Sequence, residues 1–472
     1  MIVGKDRRLV GALIAALIAA ACGSSGAQKN NGSASGTGGG GDAGASGVTS
    51  SGGASGTGGT TWGGTFSGGG AAPSGGTGGV AAGAASNAGE AGASAGGAGA
   101  SAGGGTGGAP QELPPAIAKA VSVGAGHACA LVDDGTVRCW GDNFYGELGD
   151  GTVTNRLTPV VVVGLSDAIT VSAGFHHTCA VRASGQVACW GSNENGELGI
   201  NSTMRSAMPK LVNGITHAKA VMTTSGAFSC ALIDDGTIQC WGINGYGQLG
   251  DGAASDQLQP TPVYGITNAV AVDGGSAHGC ALLADGSARC WGQNNEGELG
   301  DGMPITTSRV LAPVPVVDVT DGVALSCGSA QTCVIVGGGG VACWGNDTGP
   351  AVGGSSRALS SSPVAVAGLT GAVAVATGSS NACVLLESQK ITCWGYNDHG
   401  QLGDGSKTAH WDPATVPGID AATMLDASAF TYCAVLPSGG VRCWGAGSGG
   451  LLGNGSTSDS PVPVQVSGFP GQ

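Results

Sequence analysis

Of 472 residues, 95 are Gly, 4% are aromatic and only 10% are charged, less than half the quarter usual in globular proteins. Lys plus Arg number 17 against 31 Asp plus Glu, a formal charge of −14. That balance argues against nucleic-acid binding, because no basic stripe is available to neutralise phosphates. Sixteen Cys are many for a reducing compartment and point to an oxidising one.

The chain opens MIVGKDRR, so Lys5, Arg7 and Arg8 form a basic n-region, and LVGALIAALIAA follows as an apolar run. Twelve apolar residues are too few to cross a bilayer core of about 30 Å as a helix. Small residues Ala19, Ala20 and Ala21 lead into Cys22, the layout of a cleavable export signal over 1–22. The Ala-Ala-Ala-Cys ending resembles the bacterial lipobox, with Ala19 where Leu is commonest. The resemblance implies lipid attachment at Cys22. Gly23 after it, by similarity to enterobacterial sorting, implies the outer membrane or cell surface, with periplasmic or secreted protein as the alternative.

From residue 23 to 115 the sequence predicts a disordered Gly/Ser/Ala-rich tether. Between Gly23 and Pro110, 35 of 88 residues are Gly, and Lys29, Asp42 and Glu90 alone are charged. Such a tract cannot bury enough apolar surface to offset its ordering entropy. A flexible chain of that length spans roughly 50 Å end to end. Trp62 and Phe66 stand isolated in it, with no structural role expected.

Past residue 115 one unit repeats. Cys-Trp recurs with Trp at 140, 190, 241, 291, 344, 394 and 444, at steps of 50 to 53 residues. Each copy carries a second Cys ten residues earlier and, in most, a GELGDG or GQLGDG tail. Short Val-rich runs between Gly, Pro and Asp-Gly turns read as strands, with no helical periodicity. Four strands per copy are expected: a (AVSVGAG), b (CALVDDG), c (TVRCWG) and d (PVVVVG). Seven such units over 116–468 predict an all-β, seven-bladed β-propeller of four-stranded antiparallel blades. Because the d-to-a link is short and the c-to-d link long, strand d is expected to join the following a, b and c. The first blade would then wait for PVPVQV from the far end of the chain.

Gly-x-x-His, Ala-Leu, Asp-Gly and Trp-Gly-x-Asn-x-x-Gly-Gln-Leu-Gly resemble the repeat of the regulator of chromosome condensation family. The resemblance implies a seven-bladed propeller, similar in class to the exported bacterial β-lactamase inhibitory protein II. The fifth copy departs from the pattern, with CWGNDTGPAVGG in its c–d stretch. The family's eukaryotic founder binds a small GTPase and chromatin. Neither is expected of an exported acidic domain.

Fourteen Cys form seven within-copy pairs, 129/139, 179/189, 230/240, 280/290, 333/343, 383/393 and 433/443. A hairpin turning at Asp133-Asp134-Gly135 pairs Leu131 with Val137 and sets Cys129 opposite Cys139. Facing antiparallel Cα atoms lie ~4.5–5.5 Å apart, within disulfide reach. A metal would need four converging ligands, which one pair per blade does not supply. Disulfides are therefore expected at Cys129, Cys139, Cys179, Cys189, Cys230, Cys240, Cys280, Cys290, Cys333, Cys343, Cys383, Cys393, Cys433 and Cys443. Cys327 is left over and reads as a buried free thiol.

Seven internal copies also serve as controls for chemistry. A catalytic residue should break the repeat. The Glu of GELG (Glu147, Glu197, Glu298) becomes Gln248, Gln401 and Leu451 in other copies, so it is structural and not an acid or base. Gly245, Gly247 and Gly250 spell G-x-G-x-x-G but open no helix, and are the tail of the repeat. His127, His177 and His278 share a column with Phe228, Gln331, Asn381 and Thr431 and are expected to brace a loop by hydrogen bonding. No metal site, catalytic residue or cofactor is expected.

The reading that remains is a non-catalytic module binding an unknown protein or glycan at the cell surface. The alternatives are a polysaccharide-active propeller and a purely structural envelope component. The b–c turns are monotonous, whereas the opposite rim varies as a recognition surface must. The expected face comprises Phe175, His176, Phe228, Phe430 and Tyr432 on a–b loops, with Phe144, Tyr145, Tyr246, Glu296, Asp398 and His399 on c–d loops.

Overall fold

The computed structural model describes residues 114–305, 308–346 and 359–471. The expected export signal, Cys22 and all of the expected tether but its last two residues lie outside the described residues, as do residues 347–358 of the fifth copy's c–d stretch. Within them are 28 strands and a single three-residue 3-10 turn at Ser448–Gly450. The strands form seven four-stranded antiparallel sheets, and these are the blades of a propeller.

The first blade is β1 (Ala118–Val123), β2 (His127–Val132), β3 (Val137–Gly141) and β4 (Arg156–Val161), hydrogen-bonded in that order. Blades 2 to 7 repeat it as β5–β8, β9–β12, β13–β16, β17–β20, β21–β24 and β25–β28. The β2–β3 hairpin sets Leu131 against Val137 and Cys129 against Cys139. Strand a of each blade lines a central channel, and strand d is outermost and half exposed.

The grouping of strands corrects one expectation. Each repeat closes on itself, and β28 (Ser460–Gln465) pairs with β27 (Val441–Gly445) of its own blade rather than completing the first. The long c–d stretch is long for another reason: it folds over the neighbouring blade and returns. The Asn143 side chain holds this loop by donating to the carbonyls of Thr152 (3.2 Å) and Thr154 (3.1 Å), while its oxygen accepts from the Leu148 amide (3.0 Å). The short d–a link then needs only six residues, 162–167, turning at Val163–Gly164, to start the next blade.

Apolar packing lies between blades. The cluster of Leu131, Val137, Leu148 and Val162 from blade 1 includes Ala180 and Trp190 from blade 2. Six of the loops are pinned by the next blade's Trp, whose indole donates to the carbonyl at the GELG Glu or Gln position, filled by Leu451 in blade 7. Trp190 and Trp241 reach Glu147 (2.7 Å) and Glu197 (2.8 Å), and Trp291 reaches Gln248 (2.8 Å). The Gly that closes GELG must be Gly: Gly149 has φ of +65°, and a Cβ there would stand 2.8 Å from the Trp190 indole nitrogen.

All seven within-blade Cys pairs are bonded, with Cα atoms 4.0–4.1 Å apart. Cys327 is free and buried. The ring closes where blade 7 packs on blade 1. There Trp140 donates to the Leu451 carbonyl (2.9 Å), the Ala116 amide to the Gly468 carbonyl (3.0 Å), and Phe469 lies edge-on to Trp140 at 6.2 Å.

Candidate partner-binding site

The a–b and c–d loops share one rim, as antiparallel order requires. The a–b loops are tied to each other around the ring by backbone bonds. The Ala125 amide reaches the Gly174 carbonyl (3.1 Å), Phe175 reaches Thr224 (2.9 Å) and Ser379 reaches Ala429 (3.0 Å). A rim held this way loses little conformational freedom when it is contacted.

The c–d loops of blades 1, 2, 3, 4 and 6 are each stiffened by their own GELG-position carboxylate or amide, which accepts a backbone N–H two residues earlier, whereas blade 7 has Leu451 there. Glu147 accepts from Tyr145 (2.8 Å), Gln248 from Tyr246 (2.8 Å), Glu298 from Glu296 (2.8 Å) and Gln401 from His399 (2.9 Å). Burial raises the carboxyls of Glu197 and Glu298 above the usual range. Glu147 differs. Burial pushes it up, but hydrogen bonding from His176 and from backbone amides more than offsets this, so its carboxyl sits low and ionised.

His176 Nδ1 lies 3.5 Å from Glu147, which steers the imidazole across the junction of blades 1 and 2. Four rings run together there. Phe144 and Tyr145 meet edge to face at 5.0 Å, Tyr145 and His176 lie at 4.8 Å, and His176 and Phe175 at 4.1 Å. Phe144 is 68% exposed and Phe175 43%. Arg205, from the start of blade 2's strand d, places its guanidinium 6.0 Å over the Phe144 ring and donates to the Phe144 carbonyl (3.3 Å). Sequence reasoning missed Arg205, because a lone Arg before a half-exposed strand carries no periodic signal.

A smaller pair sits at the junction of blades 6 and 7. His399 lies 5.2 Å from Phe430 and is paired with Asp459 (3.0 Å). Tyr246 is exposed by itself on blade 3, Asp398 is exposed on blade 6, and Glu296 accepts from the Asn346 amide. These groups are spread around the rim and do not converge on one reacting point.

Two residues expected on the face are not on it. Phe228 opens β10 (Phe228–Ile233) and is fully buried, filling the place that His127 takes in blade 1. Tyr432 is also fully buried in β26 (Thr431–Val435), stacked on Trp444 at 5.9 Å with its hydroxyl donating to Asn381 Oδ1 (2.5 Å). Both stand in strand b, where side chains point between blades.

The His column braces blades rather than a loop. Nε2 of His127, His177 and His278 meets the hydroxyls of Thr178 (2.8 Å), Ser229 (2.9 Å) and Thr332 (3.0 Å) in the following blade. Burial depresses these imidazoles to about 4, 3 and 4, so they are neutral at physiological pH. His278, Cys280 and Cys327 lie close enough to share an ion, but Cys280 is committed to its disulfide.

Fold and rim together define a disulfide-clipped, seven-bladed propeller with a four-ring cluster at the junction of blades 1 and 2. A family model for the RCC1-like domain matches residues 101–358, and one for the regulator of chromosome condensation (RCC1) repeat matches 372–401. The chain belongs to the RCC1-like family. It is similar in fold to Prp20p of Saccharomyces cerevisiae, with 21% identity and a TM-score of 0.63 over 71% of this chain and 87% of that one. Prp20p is described by its binding to Gsp1p and histones, and yeast RCC1 (Prp20) is also seen bound by Kap60. Human WBSCR16 is similar at 22% identity and a TM-score of 0.60, over 67% and 85% of the two chains. A 45-residue stretch is 49% identical to the E3 ubiquitin-protein ligase HERC2 of Homo sapiens, and the match spans about 1% of that relative's length.

Proposed function

We propose that this protein is a non-catalytic binding module of the cell envelope, lipid-anchored at Cys22, that engages a protein or glycan partner through its a–b/c–d rim. One observation carries the reading. The cluster Phe144–Tyr145–His176–Phe175 places two rings on each of two facing loops, whereas the equivalent loops elsewhere carry at most one ring (Tyr246, His399, Phe430) or are small or polar, such as Ala125-Gly126, Glu194-Asn195 and Ser276-Ala277. Exposed aromatic anchors beside Arg, within a polar surround, have hot-spot composition. The binding of Prp20p to Gsp1p and histones, and of Kap60 to yeast RCC1 (Prp20), supports a protein-binding role for the fold.

Joint replacement of Tyr145, Phe175 and Tyr246 by Ala is expected to weaken capture of an envelope partner more than about 100-fold. The melting temperature should barely move, since these rings are exposed or half exposed. Ala at Asp134 and Asp235, on the opposite turns, should leave capture intact. Loss of capture by the turn variants with retention by the aromatic ones would put the site on the wrong rim.

Anchoring is tested separately. In a bacterial host, labelled palmitate is expected to enter the full chain and not its Cys22→Ser variant. Equal labelling of the two would exclude attachment at this residue.

A further inference from the structure

The central channel is divided by a neck. On the side of the recognition rim lies a small polar space of about 130 Å³, and on the other a vestibule of about 890 Å³, within the size range of small-molecule pockets. Ser122, Ser172, Asp273, Ser326 and Asp426 line both spaces and therefore form the neck. The vestibule wall beyond it is largely aliphatic, with residues such as Val171, Val272, Leu325 and Val375 from successive strands a.

The neck residues occupy one column of the repeat, and their shared structural task is visible. Each takes a backbone amide of the following blade. Ser122 accepts from Ala173 (3.0 Å), Ser172 from Thr223 (2.9 Å) and Ser326 from Thr377 (3.2 Å). Asp273 accepts from Cys327 (2.8 Å) and Asp426 from Val123 (2.8 Å). A hydroxyl makes the same bond three times, so inter-blade bonding does not call for a carboxylate. Two half-buried carboxyls at this neck, hydrogen-bonded only to backbone amides and one Ser hydroxyl each, are costly unless something answers their charge. Burial lifts Asp273 to about 6, and burial together with the charge of Asp273 lifts Asp426 to about 7. The one basic residue among the described lining is Lys219, whose ammonium donates to the Asp234 carbonyl (2.6 Å).

We propose that the vestibule binds an amphipathic organic cation, its apolar body against the aliphatic wall and its ammonium head at the neck between Asp273 and Asp426. The site is separate from the recognition rim. Shape and charge set the class: a neutral alcohol would leave the carboxyls unanswered, and a carboxylate would be repelled.

Calorimetry and thermal melting of the full chain with n-octylammonium, n-octanol and n-octanoate at pH 7.5 test it. Octylammonium is expected to bind saturably with one site and to raise the melting temperature. Octanol should bind at least about tenfold more weakly, the scale of a lost charge-assisted hydrogen bond, and octanoate more weakly still. The Asp273→Ser/Asp426→Ser variant installs the residue already used at Ser122, Ser172 and Ser326, so it should fold and lose the preference for octylammonium over octanol. Melting of the variant without ligand reports its folding. Should it fail to fold, Asp273→Asn/Asp426→Asn, which keeps an accepting oxygen, makes the same test. Equal binding of octanol and octylammonium, a variant that retains the preference, or no saturable binding of octylammonium would each overturn the proposal.

Discussion

Reduction of the seven disulfides is expected to unfold the propeller outright. Each closes a ten-residue separation between facing strands, worth about 2.5–3 kcal/mol on a chain-entropy account. Even a third of the summed contribution is comparable with the 5–15 kcal/mol net stability typical of a folded domain. The blades have little else to draw on locally, since each four-stranded sheet buries its apolar faces only against its neighbours. Every bonded Cys is 1% exposed or less, so a reductant reaches the sulfurs only when a blade opens. Native protein should therefore resist a water-soluble phosphine at 25 °C and be reduced on heating or in urea. Refolding with the reductant present should fail. The check is thermal melting with thiol content counted by mass. A fully reduced chain melting where the oxidised one does would remove the disulfides from the account of stability.

The parts of the fold that could be read from sequence share a physical basis: local geometry repeated seven times. Ten-residue Cys spacing around an Asp-Gly turn dictates a register, and Cys129 does face Cys139. Strand number and direction follow from turns and Val-rich runs. The grouping of strands into blades is not legible in sequence, because loop length does not measure travel between blades. In the molecule the c–d loop spends its length reaching over to the next Trp, a partner 43 residues away for Glu147 and Trp190.

The rim was legible in outline and misread at two points. Phe228 stands in the column of His127, a position buried between blades whichever residue fills it. Tyr432 stands where Ala128 and Thr178 do, opposite the Trp that follows. An aromatic residue near a loop is not thereby on the loop, because strand b is buried on both faces between neighbouring blades. What sequence could not give at all was which rings meet. Phe144 and Phe175 are 31 positions apart and become neighbours only because consecutive blades pack face to face.

Deleting residues 459–472 is expected to cost more than removing any single blade contact, though not by opening a shared blade. The segment holds β28, whose loss bares one edge of β27 and the apolar surface of its own blade. It also holds the seam that closes the ring. Val466 and Phe469 are buried in the cluster that joins blade 7 to Val121, Val123 and Trp140 of blade 1. Arg138 donates to the carbonyls of Pro114 (3.0 Å) and Gly468 (3.4 Å), with its guanidinium 6.0 Å over the Phe469 ring. A propeller whose blades do not exchange strands has only such face-to-face contacts at its seam. Phe469→Ala should therefore cost about 3 kcal/mol, the lower range for emptying a buried aromatic site, and the full deletion should leave no cooperative transition at 37 °C. Urea unfolding with the midpoint and slope both fitted measures each variant. An unchanged midpoint for Phe469→Ala would mean that the seam is held elsewhere, by Trp140 donating to Leu451 and by β1 packed on β25 and β26, and that the C-terminal segment merely covers it.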